Sequence, residues 1–194
     1  VFIMEHLAVV ADTVQKIIDI ELTWKIDETG KIIASIEAQK DEEFPDLPRF
    51  GIRLFLDKKF EDVAYYGMGP HESYRDKHQA TSHGIYRSKV TDLHEDYIRP
   101  QENGSHYDCD YVELTNAQYG FAIVSEDSFS FNASYYTQEV LEQTKHNFEL
   151  EESDSTVLCV DYALNGIGSN SCGPVVLDQY RFCENEFRFQ LKLV

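Results

Sequence analysis

The stretch IIDIELTWKID, residues Ile17–Asp27, decides the fold class. Ile18, Ile20, Leu22, Trp24 and Ile26 alternate with Asp19, Glu21, Thr23 and Lys25, so one set lies on each face of a strand. Asp27-Glu28-Thr29-Gly30 reads as a turn and Lys31–Gln39 as the returning strand of a hairpin. Working outward, Phe50–Leu56, Asp62–Tyr66, Phe129–Ala133 and Thr156–Ala163 read as short strands. Tyr107–Thr115 and Tyr119–Ser125 form a second hairpin, turning at Asn116–Gln118. Gln179–Phe182 and Phe187–Val194 form the last pair. Asp41–Arg49, with Pro45 and Pro48, is an irregular connection. Lys77–Pro100 reads as extended and loop-rich, draped over a sheet. The one helix is Tyr136–His146. Thr137 caps it, Glu139 lies in its first turn, and Lys145 and His146 suit its end; Val140, Leu141 and Thr144 face the core. These elements predict an all-β, antiparallel β-sandwich with one short helix, spanning 1–194 as one domain.

The segment YYGMGPHESYRD, Tyr65–Asp76, is the most demanding turn. Gly67 and Gly69 read as sources of backbone freedom and Pro70 as fixing the exit, delivering His71, Glu72, Tyr74, Arg75 and Asp76 to a sheet rim. A second glycine-rich loop, NGIGSNSCGP, covers Asn165–Pro174. These two loops are the expected seat of function. The start, VFIMEHLAVV, has apolar residues without cap or turn and no initial Met, which reads as the interior of a longer polypeptide.

With 35 acidic against 17 basic residues, the formal charge is −18. That charge repels phosphate backbones and anionic membrane surfaces, which argues against nucleic acid and lipid partners. No apolar run is long enough to span a bilayer. Cys109, Cys159, Cys172 and Cys183 show no CxxC spacing, and no secretion signal is recognisable, so the expectation is reduced thiols in the cytoplasm. Asn103-Gly104-Ser105 and Asn132-Ala133-Ser134 match the glycosylation sequon and are discounted on the same ground.

Each candidate chemistry has a plainer counterpart. His71, Glu72, His78, His83 and His94 fall close together, but no HxH, HxxxH or HExxH spacing occurs, so solvated or locally bonded histidines are favoured over a metal site. Adjacent His71 and Glu72 would point to opposite faces. Glu184 and Glu186 share a face at i and i+2, yet read as part of a solvated turn rather than as a glycosidase pair. Cys172 sits in an adaptable loop, without a base or helix N-terminus to make it a nucleophile.

YYGMGPHESYRD, then YIRPQENG at Tyr97–Gly104, then NGIGSNSCGP resemble the C-terminal domain of the glycoside hydrolase family 2 β-galactosidases, in order and separation. FSFNASYYTQEVLEQTKH resembles the family's stretch between the second and third blocks. The resemblance covers Phe50–Val194 well and the first 49 residues loosely. It implies an antiparallel supersandwich similar to galactose mutarotases, with part of the domain preceding Val1.

The resemblance also implies a division of labour. The catalytic glutamates of this retaining family lie in a TIM barrel, a separate domain or large subunit; no residue here matches them. The Mg and Na ions belong to other domains, and this chain has no cofactor. The loop at Asn165–Pro174 reaches the barrel mouth, so Asn170, Ser171 and Cys172 would line the galactoside pocket. Cys172 stands where the family often has a Trp, which puts stacking on the aglycone in doubt. Gly67, Gly69, Pro70, His71, Glu72, Tyr74, Asp76, Pro100, Glu102, Asn103, Gly104, Gly166 and Gly168 would be structural. The chain alone is expected to be inactive and to self-associate as a homodimer through an uncovered apolar edge. Two other readings stand beside this one: a free-standing carbohydrate-binding or mutarotase-like module, which needs one of His71, His78, His83 or His94 to meet a carboxylate inside the sheet's curve, and a natural small subunit serving assembly.

Overall fold

A computed structural model describes residues 1–12, 15–168 and 175–194. The fold is all-β and antiparallel, as the alternation predicts. Strands β1 (Phe2–Val10), β2 (Lys16–Ile26), β3 (Ile32–Lys40), β4 (Arg49–Asp57) and β5 (Asp62–Gly69) are followed by β6 (Ser82–Lys89) and β7 (His106–Thr115). Strand β8 (Gly120–Ser134), helix α1 (Gln138–Gln143), β9 (Ser155–Leu164) and β10 (Glu186–Leu193) complete the order. The main sheet runs β1-β2-β3-β10-β8-β7-β5-β6, and β4 joins it only through β9, which pairs with β8.

Strand β8 makes this arrangement possible. Its first half lies between β10 and β7, with Val124 opposite both Lys192 and Tyr111; its second half, Ser130–Ser134, pairs with β9. One strand thus serves both layers. Between them lies the main core, where Tyr65, Val112, Leu114, Ile123, Phe131, Leu158, Val160, Phe189 and Leu191 are all nearly or fully buried. Ile52, Leu54 and Leu56 of β4 close it from the other side. Each of the aliphatic and phenylalanine side chains contributes about 1.5–3 kcal/mol on burial. A smaller cluster around Phe182 and Phe187 supports the end of the chain.

The first hairpin forms as predicted, and its register sets Ile26 opposite Ile32 and Leu22 opposite Ile36. Helix α1 is capped by Thr137, whose Oγ1 accepts the Val140 N–H. It stops at Thr144, short of Lys145 and His146; Leu141 is buried, while Val140 and Thr144 are half-buried. One strand is added to the sequence reading and three expectations are corrected. VFIMEHLAVV is itself an edge strand, β1, pairing with β2 and exposed along its whole length. Lys77–Pro100 contains β6, pairing with β5 from Asp62–Lys89 to Gly69–Ser82; it ends the sheet and has no buried face to pattern it. Tyr119–Ser125 and Phe129–Ala133 are one strand, β8, continuous through exposed Glu126, Asp127 and Ser128. Gln179–Phe182 is not a strand. Asp178–Tyr180 forms a single 3-10 turn, and Phe182 packs edge-on against Phe187 at 5.2 Å instead of pairing.

Candidate functional site

The first two motif segments and the described start of the third, residues 165–168, meet, and Glu72 joins the first two. The turn that follows β5 buries this residue. Its Oε1 accepts from Lys77 Nζ and from the Tyr97 hydroxyl. Its Oε2 accepts the Gly104 N–H at 2.9 Å and the Tyr74 hydroxyl at 3.4 Å. Burial pushes this carboxyl up, but the bonds from Lys77, Tyr97 and Gly104 outweigh it and hold the group below its ordinary range. Tyr74, itself buried, has its hydroxyl pushed upward, first by burial and then by Glu72.

Gly104 is required by its backbone: its φ is +68°, and a Cβ there would come within 2.4 Å of the Leu93 carbonyl oxygen. Gly67 and Gly69 answer to a different need. Among the described glycines only Gly30 and Gly104 have positive φ, so conformational freedom is not what the first block uses. A Cβ on Gly67 would lie 2.1 Å from Cys109 Sγ, and one on Gly69 would lie 2.3 Å from the Tyr65 hydroxyl. These glycines make room for a neighbouring strand and ring. The Gly69–Pro70 peptide is cis.

Asp76 reaches the third segment. Its Oδ1 accepts the Ile167 N–H at 3.0 Å and its Oδ2 the Gly168 N–H at 2.8 Å. Gly166 lies so close that a Cβ would sit 2.6 Å from the Asp76 carboxyl carbon. The base of the loop is held further by Asn165, whose N–H reaches the Pro48 carbonyl and whose Oδ1 accepts from Phe182 N–H. Asn170, Ser171 and Cys172 lie outside the described residues.

The second segment is tied inward too. Pro100 is buried. Asn103 accepts the Glu95 N–H at 3.0 Å and donates to the Gln101 carbonyl at 2.9 Å. Glu102 meets Arg49 NH1 at 3.1 Å, and the same guanidinium grips Asp161 of β9, with Nε 3.2 Å from Oδ1. Burial pushes both Glu102 and Asp161 up against the pull of Arg49; burial pulls the guanidinium down, and Asp161 and Glu102 together outweigh it and raise it. Arg49, Lys77, Tyr97 and Asp161 were missing from the sequence reading. Asp161 carried a usable signal, a lone acid inside the apolar run VLCVDYAL.

The histidines do not assemble. His71 and His83 are exposed; His78 bonds the Tyr74 carbonyl at 3.0 Å. His94 comes no nearer than 3.7 Å to a carboxylate, that of Asp96, which is 80% exposed. Among the described residues no three His, Cys, Asp or Glu side chains form a set that could hold a metal ion. Glu184 and Glu186 part company, the first to the Tyr162 hydroxyl at 2.6 Å and the second to Gln39 at 3.3 Å. Asn103 and Asn132 of the two sequons are buried. Cys109, Cys159 and Cys183 are free, the first two buried, and no helix among the described residues is long and apolar enough to cross a membrane.

The junction therefore places a loop; the carboxyls that build it are committed to backbone amides and to cations. The family described as "Beta galactosidase small chain" matches residues 3–193. A protein of Actinobacillus pleuropneumoniae named beta-galactosidase is 45% identical over 187 residues, covering 96% of this chain and 18% of its own. One from Staphylococcus xylosus is 41% identical over 97% of this chain and 19% of its own length. One from Kluyveromyces lactis is 34% identical over 77% of this chain and 14% of its own. The chain thus spans less than a fifth of the length of these relatives. On this match, carried from one end of the fold to the other, the chain belongs to the β-galactosidase small-chain family.

Proposed function

We propose that this chain is the C-terminal β-sandwich part of a cytoplasmic, retaining β-galactosidase acting on terminal β-D-galactosides of the lactose class. The catalytic glutamates would lie in a TIM-barrel domain or large subunit, and the magnesium and sodium ions in other domains. The chain would supply one wall of the galactoside pocket through the loop that begins at Asn165, with Asn170, Ser171 and Cys172 near its tip. The observation that carries this reading is the paired grip of Asp76 on the amides of Ile167 and Gly168, which fixes where that loop leaves the sandwich. A chain whose buried carboxylates are spent on such anchoring has an architectural task. The free thiols of Cys109, Cys159 and Cys183 suit a reducing compartment.

The uncovered strand β1 gives the assembly reading a location. Phe2, Ile3, Met4, Leu7, Val9 and Val10 are all exposed, along a sheet edge with unpaired backbone groups. In the isolated chain we propose that two such edges pair as a symmetric dimer. Leu7→Lys should shift sedimentation from dimer to monomer, and a wild-type chain that stays monomeric at high concentration removes this part of the proposal.

The test of function is a chromogenic β-galactoside, offered to the chain alone and then to the chain mixed with the barrel-containing remainder of its enzyme. Silence alone and turnover on mixing support the reading. Turnover by the chain alone overturns the division of labour, and silence in both overturns complementation.

A further inference from the structure

A second polar pocket lies beside the loop base and is used by nothing described so far. Its first wall is a bulge. Opposite β7, Cys109 faces Phe129 while Tyr111 faces Val124, so the four residues Ser125–Ser128 stand against Asp110 alone and break the ladder. Bulges of this kind re-aim side chains and gather near binding sites. Here the bulge presents Asp127 to a cavity of about 380 Å³, whose other walls include Arg75, Tyr107, Tyr162, Glu184 and Arg188.

Much of the hydrogen-bonding capacity of the lining is unspent among the described residues. Among the described residues the Arg75 guanidinium hydrogen-bonds only the Arg181 carbonyl, at 3.3 Å, and no carboxylate pairs with it. Asp127 has no ion-pair partner among the described residues either. Among the described residues Glu184 accepts only the Tyr162 hydroxyl, and Arg188 keeps a loose 3.4 Å contact with Glu37. Two cations and two anions leave the cavity close to neutral, so a strongly charged occupant gains nothing net. Donors and acceptors left without partners suit hydroxyl groups, which both give and take hydrogen bonds. Tyr162 is stacked on Phe187 at 4.9 Å and 11°, which holds its ring and hydroxyl in place, and Tyr107 adds a second ring. A cavity of this volume falls in the range of small-molecule sites.

We propose that this pocket binds a neutral pyranose, with Glu184 and Asp127 accepting from its hydroxyls, Arg75 donating, and the tyrosine rings flanking the sugar. The site is built from this chain's own residues, so its test needs no catalytic domain. Saturation-transfer NMR and titration calorimetry on the 194-residue chain, with D-galactose and D-glucose as probes, read it directly. The expected result is saturation transfer to the ring protons of at least one hexose, and binding about tenfold weaker or more in Glu184→Ala and Asp127→Ala. Both residues are exposed, so both variants should keep the wild-type circular dichroism and melting temperature. Absence of transfer from the folded chain overturns the proposal, as does equal transfer from wild type and both variants. A chain silent towards both hexoses whose Glu184→Ala variant associates more weakly with the rest of its enzyme would show a protein-docking surface instead, and that result also overturns it.

Discussion

Asp76 and Gly168 lie 92 residues apart in sequence and share a hydrogen bond of 2.8 Å. The same carboxylate takes the neighbouring Ile167 amide with its other oxygen, so both oxygens are used on successive N–H groups. Asparagine offers one oxygen and turns its own NH₂ toward the second amide. Asp76→Asn should therefore leave the fold intact but speed deuterium exchange at Ile167 and Gly168 by about tenfold or more. Unchanged protection at both amides would show that the loop base is held by something else.

Glu72 gathers donors from Tyr74, Lys77, Tyr97 and Gly104, and its side chain is only 6% exposed. Glu72→Ala strands a buried amide and hydroxyl, and should lower stability by about 2–4 kcal/mol, read as a lower urea midpoint at constant slope. Lys77→Ala should cost about 1 kcal/mol or less, because the half-exposed ammonium is shared with water. Equal losses would place the weight on the ion pair rather than on the carboxylate.

Two glycines with positive φ separate conformation from space. Gly30 has φ +87° and nothing within 4 Å of a built Cβ, so Gly30→Ala should cost only the left-handed backbone, about 1–2 kcal/mol. Gly104 adds the Leu93 carbonyl oxygen at 2.4 Å, and Gly104→Ala should cost at least about twice as much. Thermal melts of the two variants measured side by side make the comparison, and similar shifts would refute it.

His106 is buried between Tyr65 and Phe131, with Nδ1 3.2 Å from the Met68 carbonyl and no partner for Nε2 among the described residues. Burial holds its pKa down at about 4, from an ordinary 6.5. The folded value lies below the unfolded one. The stability contributed by the neutral ring is therefore full above pH 6.5 and is lost as the pH falls through about 4. The loss approaches about 3 kcal/mol. Glu102 and Asp161, raised by burial, act with the opposite sign, so the test is a comparison. Stability of His106→Phe should fall less steeply than that of wild type between pH 6.5 and 4. Parallel profiles would mean that the ring ionises without penalty.

Legibility followed burial. The β2–β3 hairpin was readable because one face is covered and the other wet, which stamps the period of two on its sequence. Strand β6 was not, since at the sheet's end Ile85 is 71% exposed and polar residues serve on both sides. Strand β1 escaped for the opposite reason, with apolar residues on two uncovered faces. At the candidate site, Glu72, Asp76 and Gly104 stood out because a turn that needs particular residue types carries a local signature. The Arg49–Asp161 pair joins residues 112 apart, and no local pattern encodes it. Gly67 and Gly69 were recognised as required, but the reason was misjudged: a missing Cβ looks the same in sequence whether it frees φ or admits a neighbour.

The double service of β8 has a mechanical consequence. Two layers that meet only through side-chain packing can slide or rock, as shear motions do. Here a single covalent backbone of 15 residues runs from one layer into the other. A push on the β4–β9 arm, delivered at Arg49, travels along that backbone into the sheet from which the Asp76 turn departs. The sandwich then behaves as a stiff bracket, and whatever leans on the loop at Asn165 leans on the whole of it.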